Sequence, residues 1–184
     1  MSAVCVFCSS SLSIDERYLE LAAEVGRRIA SGGHSLVSGG GRVSMMGEVA
    51  RAARAGGAHT LGVIPQHLVG YEVADTAADQ LAVVETMRER KRLMDEAADS
   101  FLILPGGIGT LEEFFEVWTS ASLGMHGKPV IVLDPWDFYR PLWQFIESMI
   151  DTGFVRAAAW QGLQRVASIE QAFAVIEAVP AGPS

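Results

Sequence analysis

Apolar residues alternate along the chain between two rhythms. AVCVFC, HSLVS, HTLGVI, QLAVVE, SFLIL and PVIVL are short, almost continuously apolar runs without polar alternation. Between them, apolar positions recur at helical spacing. Leu21, Val25 and Ile29 share one face of a segment from about Asp15 to Ser31, which Gly32-Gly33 closes. The same pattern predicts helices over Met45 to Ala55, Thr86 to Ala98, Thr110 to about Leu123, Phe138 to about Asp151 and Ile169 to Val179. A loop runs from Pro65 through Tyr71 and Glu72 to about Asp79, and a short strand-like GLQRV precedes the last helix.

Strands without alternation are buried on both faces, as in a parallel sheet covered by helices. Strict βα alternation then predicts an α/β fold: a Rossmann-like, doubly wound parallel sheet flanked by helices, in a single domain over 1–179. The tail 180–184, PAGPS, reads as loose. Ligands of such sheets bind beyond the carboxyl ends of the strands. The first, second and fifth strands end in CSSS, SGGG and PGGIGT, so three small-residue loops are expected at one crevice.

The chain has 184 residues, 49% hydrophobic and 20% charged, enough to bury one core. No apolar run approaches a membrane span, and MSAVCVFCSSS does not resemble a secretory leader, so a cytoplasmic protein with no membrane partner is expected. A net charge of −8 and pI near 4.9 argue against a nucleic-acid partner. Cys5 and Cys8 are spaced C-x-x-C but lie inside an apolar strand and read as small core residues. The four scattered histidines suggest no metal site.

Neither glycine loop carries a standard nucleotide fingerprint. Where G-x-G-x-x-G needs its last glycine, Ser44 and Glu112 stand, and no ribose-binding acid follows the third strand. The Gly127-Lys128 pair precedes Pro129 and has Ser122 where a phosphate-binding P-loop needs glycine. Two non-standard phosphate loops, or two tightly packed turns, remain.

Thr110 and Glu113 fit the T-x-x-E capping box, which would account for both. Yet Leu111, Phe114, Phe115 and Trp118 form one apolar stripe, and Glu113 lies roughly opposite it, in solvent or in a site. VVETMRERKRLM places Arg88, Arg90, Lys91 and Arg92 at the start of a helix, against its dipole. They either meet an anion or form a solvated face with pairs such as Arg92–Glu96.

The two stretches together have a familiar form. PGGIGTLEE matches P-G-G-x-G-T-x-x-E, and ERKRLM matches the arginine-lysine segment that accompanies it. From about residue 3 to 150 the chain resembles the LOG ("Lonely guy") family of cytokinin riboside 5′-monophosphate phosphoribohydrolases; SGGGRVSMMGEVARAA, FCSS and LGMHGKPV are also similar. The resemblance implies a cofactor-independent hydrolase that splits AMP or isopentenyl-AMP into free base and ribose 5-phosphate. It implies Arg90 and Glu113 as the catalytic pair. Lys91, Gly107, Ile108, Gly109 and Thr110 would hold phosphate and ribose, and Glu72 and Thr119 would contact the nucleotide. It also implies a homodimer. Ser120 stands where plant-like members have tryptophan, which bears on base preference.

Two other activities compete. A non-catalytic carrier of a nucleotide or of the molybdenum cofactor would need the loops but not the Arg90–Glu113 pair. Relatives have been labelled lysine decarboxylases, a chemistry that uses pyridoxal phosphate on a lysine; only Lys91 and Lys128 are present.

Overall fold

A computed structural model describes residues 1–70 and 73–178. The expected Glu72 contact and the tail at 180–184 lie outside the described residues. The predicted strands form one seven-stranded sheet: β1 (Ala3–Phe7), β2 (Ser35–Ser38), β3 (Thr60–Pro65), β4 (Gln80–Val84), β5 (Ser100–Ile103), β6 (Val130–Leu133) and β7 (Gln164–Val166). The order is β4-β3-β2-β1-β5-β6-β7, and every pairing is parallel.

The chain winds outward from β1 to β4, then returns to place β5 on the other side of β1. Crossovers of one hand wound in opposite directions put their helices on opposite faces. Accordingly α1 (Glu16–Ser31), α2 (Ser44–Ala55) and the last helix, α7 (Ile169–Ala178), cover one face. The other is covered by α3 (Met87–Ala97), α4 (Ile108–Ser122), α5 (Arg140–Asp151) and α6 (Ala157–Gly162). Alternate β1 residues serve the two cores: Val4 and Val6 face α1 and α2, Cys5 and Phe7 face α3 and α4. The strands look uniformly apolar because both faces are covered.

Two elements go beyond the sequence prediction. A 3₁₀ turn at Gln66–Leu68 begins the long loop, and α6 precedes β7. The helix α6 is AAAWQG, six residues, too short to show an apolar period. Its Trp160 closes a cluster of rings with Trp118 and Trp143. Both cysteines are buried free thiols. Among the described residues no helix is long and apolar enough to cross a membrane.

Candidate active site

The winding reverses between β1 and β5, so the loops leaving these strands diverge and open a crevice at their carboxyl ends. It holds about 710 Å³ and is lined by Cys8–Leu12 from the β1 loop, Val43 and Met46 beside α2, Leu68, Met87 and Arg90, and by Gly107–Thr110, Glu112 and Glu113. The pair expected to act, Arg90 and Glu113, is thus brought to one crevice from elements 23 residues apart in sequence, counting 113 minus 90.

Arg90 owes its position to α3 and to the SGGG loop after β2. Thr86 caps α3, and the full capping box with Glu89 is formed, so the start of this helix is fixed. One turn on, Arg90 is only 4% exposed. Its Nε donates to the Val63 carbonyl and its Nη2 to the Gly39 carbonyl, both at 3.1 Å. The guanidinium lies so close over Gly39 that a Cβ there would come 3.0 Å from Cζ and overlap Nη2. Of the two readings open for SGGG, phosphate loop or tightly packed turn, the packing accounts for these glycines. Gly39 makes room for an arginine, and Gly40, at φ +74°, packs on Val63 and Ile64. Gly41 forms a bridge to Ala74. None of the three lines the crevice.

The capping-box expectation for Thr110 and Glu113 is corrected. Helix α4 begins at Ile108, and extended Gly107 occupies the N-cap position without a side-chain cap. Thr110 is already the third helical residue and is buried, its methyl and hydroxyl lying over the Cα of Gly106. Glu113 sits in the second turn; the first contains no acid. Capping therefore does not explain Glu113. It is half-buried between the crevice and an adjoining cavity of about 310 Å³. Its charge is felt inward: burial first, then Glu113, pushes the Cys8 thiol far above its ordinary value, and Cys5 feels Glu113 and Arg90 as well.

The other cations of α3 do not converge on the crevice. Lys91 reaches Glu112 at 2.5 Å and Glu116 at 2.6 Å, tying α3 to α4. Burial pulls its ammonium down, but hydrogen bonds and charge from these glutamates outweigh that and raise it. Lys91 lines the adjoining cavity, not the crevice. Arg92 pairs with Glu96 at 2.8 Å, as a solvated face predicts. Arg88 is exposed at the rim of the same cavity. Thr119 is exposed, more than a turn beyond Glu113 and away from the crevice. Trp118 points inward: its Nε1 donates to the Ala159 carbonyl at 3.0 Å and its ring stacks on Phe114. Ser120 lines the adjoining cavity with Lys91 and His126.

Sequence reasoning missed several lining residues: Leu12, Val43, Met46, Leu68 and Met87, apolar side chains on loops or at helix starts. Leu12, exposed in a serine-rich loop, was the one signal available.

Comparison with known proteins places this architecture. A family model described as "Possible lysine decarboxylase" matches residues 46–179. A cytokinin riboside 5′-monophosphate phosphoribohydrolase of Mycobacterium tuberculosis is 48% identical over 169 residues, 92% of this chain and 90% of its own. One from Rhodococcoides fascians is 42% identical, covering 95% and 88%, and one from Arabidopsis thaliana 42%, covering 85% and 72%. Among solved structures, the molybdenum cofactor binding protein of Rippkaea orientalis superposes with a TM-score of 0.71 at 21% identity, covering 96% of this chain and 95% of that one. That likeness concerns the fold alone. With nearly half its residues shared over nine-tenths of its length, the chain belongs to the LOG family of cytokinin riboside 5′-monophosphate phosphoribohydrolases.

Proposed function

We propose that the chain hydrolyses the N-glycosidic bond of adenosine 5′-monophosphates, AMP and its N6-substituted forms, to free base and ribose 5-phosphate. The observation that carries this is the convergence of Glu113 and Arg90 with the glycine-started α4 on one crevice, in a chain of this family.

Breaking that bond builds oxocarbenium character at the anomeric carbon. A carboxylate beside the sugar stabilises that charge and orients or deprotonates water. Glu113 takes this role. The N–H groups of Ile108, Gly109 and Thr110 open α4 without hydrogen-bond partners within the helix, which suits a phosphate. Phosphate binding holds the reacting bond in place. Arg90, fixed by two carbonyls, orients Glu113 or the substrate.

Lysine decarboxylation does not fit these residues. Neither lysine lines the crevice: Lys91 is held by two glutamates, and Lys128 by the Asp95 carbonyl and carboxylate. A homodimer belongs to the same reading, supported by exposed Ile108, Leu123 and Met125 around α4, and sedimentation tests it. The free thiols suit a reducing cytoplasm.

The test is incubation with AMP and N6-isopentenyl-AMP, following free base by chromatography, with Glu113→Gln alongside. Release by the wild type that the variant loses is expected, and the ratio of the two rates gives the base preference. Binding of either nucleotide without release would overturn the proposal in favour of a carrier.

A further inference from the structure

A second, smaller pocket of about 200 Å³ adjoins the crevice and shares Ser9, Ser11 and Gly107 with it. Its remaining walls are apolar or aromatic: Ile14, Tyr18, Met45, Pro105 and Phe138, with the backbone of Gly106. Gly107 caps the helix end assigned above to the phosphate. Arg90 and Glu113 do not line this pocket, and neither do Leu68 and Met87. The pocket therefore continues from the helix end assigned to the phosphate, outside the walls formed by Arg90 and Glu113.

The far wall is held in place. Asp134 accepts from the backbone N–H groups of Phe138 at 2.9 Å and Tyr139 at 2.7 Å, fixing a turn in which Asp137 has φ +57°. An aspartate is tolerated there, but the position is costly without such support. The turn presents Phe138 at 44% exposure, edge-on to Tyr18, which Trp136 and the Arg17 guanidinium also flank. Aromatic rings fixed at a pocket wall and left half in water suit a ligand group that completes their packing.

Charge points the same way. Arg90 is the one cation lining the crevice among the described residues, and two glutamates line it too. Lys91 is committed to Glu112 and Glu116 on α4. A phosphomonoester carries about −1.5 to −2 charges at neutral pH; a phosphodiester carries one.

We propose that the site also accepts adenosine 5′-phosphodiesters, seating an aromatic or aliphatic ester group in the pocket between Tyr18, Met45 and Phe138. This rests on the reading above that α4 holds the phosphate. The reaction is unchanged: water adds to the anomeric carbon, the C1′–N9 bond breaks, the base departs with a proton, and the diester survives in the sugar product.

The experiment compares AMP, N6-isopentenyl-AMP and adenosine 5′-(phenyl phosphate), with mass detection of intact ribose 5-(phenyl phosphate). The wild type is expected to release adenine from the phenyl ester, with kcat/KM within about tenfold of that for AMP. Ile14→Trp, which fills the pocket from outside the crevice, is expected to lower ester turnover by about tenfold or more, the worth of a buried apolar ring, while AMP turnover persists. Cleavage of AMP alone, with no competition by the ester, overturns this inference and leaves the phosphoribohydrolase reading standing. Equal losses on AMP and ester in Ile14→Trp overturn it too. A selective loss on N6-isopentenyl-AMP would assign the pocket to the base substituent instead. Failure to cleave any of the three removes the phosphoribohydrolase reading and this inference with it.

Discussion

Gly39→Ala adds one methyl group, and the structure dictates where it goes. Gly39 does not have a left-handed φ, so alanine brings no backbone strain. Its Cβ would lie 3.0 Å from Cζ of Arg90 and overlap Nη2. The guanidinium must swing away, giving up its bonds to the Gly39 and Val63 carbonyls. The overlap is too deep for compression to relieve, so the arginine relocates into the crevice it lines, where water takes over its donors. Overpacking of this kind costs about 1–3 kcal/mol of stability. At about 2–4 °C per kcal/mol for a chain of this size, the melting temperature should fall by several degrees and the fold survive. Turnover should suffer more, because about 1 Å of misplacement near the chemistry costs on the order of 100-fold. The assay is kcat/KM for base release from AMP in the wild type, Gly39→Ala, Arg90→Ala and the double variant. If Gly39 acts only through Arg90, the double variant is no slower than Arg90→Ala alone. Activity of Gly39→Ala within about threefold of wild type, or losses that multiply in the double variant, would refute the reasoning.

Three further outcomes are expected. Burial holds the Cys5 and Cys8 thiols and the Tyr139 hydroxyl protonated to higher pH than in the unfolded chain, so their contribution is fully present below the unfolded values and is lost as pH rises. Thermal melts should show stability falling above about pH 8.5, by about 1.4 kcal/mol per pH unit for each thiol, and a Cys5→Ala/Cys8→Ala variant should show a shallower fall. Gly106→Ala would set a methyl 2.5 Å from the Thr110 Cβ and push on the first turn of α4; KM for AMP and inhibition by ribose 5-phosphate should both weaken, with kcat changing less, whereas an unchanged KM would remove the phosphate from that turn. Trp118→Ala empties the centre of a ring cluster with Phe114 and Trp160 and should lower the melting temperature by roughly 6–20 °C, while base release persists below the melt.

The sheet was legible because each strand is buried on both faces, and continuous apolar runs such as SFLIL carry that signature. Alternation with helices then led to the crevice at β1 and β5, where Arg90 and Glu113 meet. What local sequence could not reveal was the purpose of its glycines and charges. SGGG and PGGIGT are alike as strings, but the first folds back against β3 and seats an arginine, whereas the second leads into an open helix end. Lys91 and Arg90 are neighbours in sequence. On a helix they point about 100° apart, and only packing against α4 shows that Glu112 and Glu116 await the lysine. The T-x-x-E string at Thr110 is satisfied in letters only, since Gly107 starts the helix three residues earlier than capping requires.

That earlier start gives the site its spacing. A carboxylate in the first turn of α4 would compete with a phosphate for the same N–H groups and repel it. Glu113 stands four residues beyond Gly109, about 6 Å further along the axis at 1.5 Å per residue. A ribose 5-phosphate with its phosphate on the first turn spans about this distance through O5′, C5′ and the ring to the anomeric carbon. One helix thus supplies both the anion site and, one turn deeper, the group that faces the developing cation. Glu112 cannot take over: it lies about 100° round the helix, with its carboxylate on Lys91. Glu113→Gln should therefore abolish turnover although an intact glutamate stands next to it. A variant that instead retained activity through Glu112 would show that the phase of the helix, and with it this division of labour, does not govern the reaction.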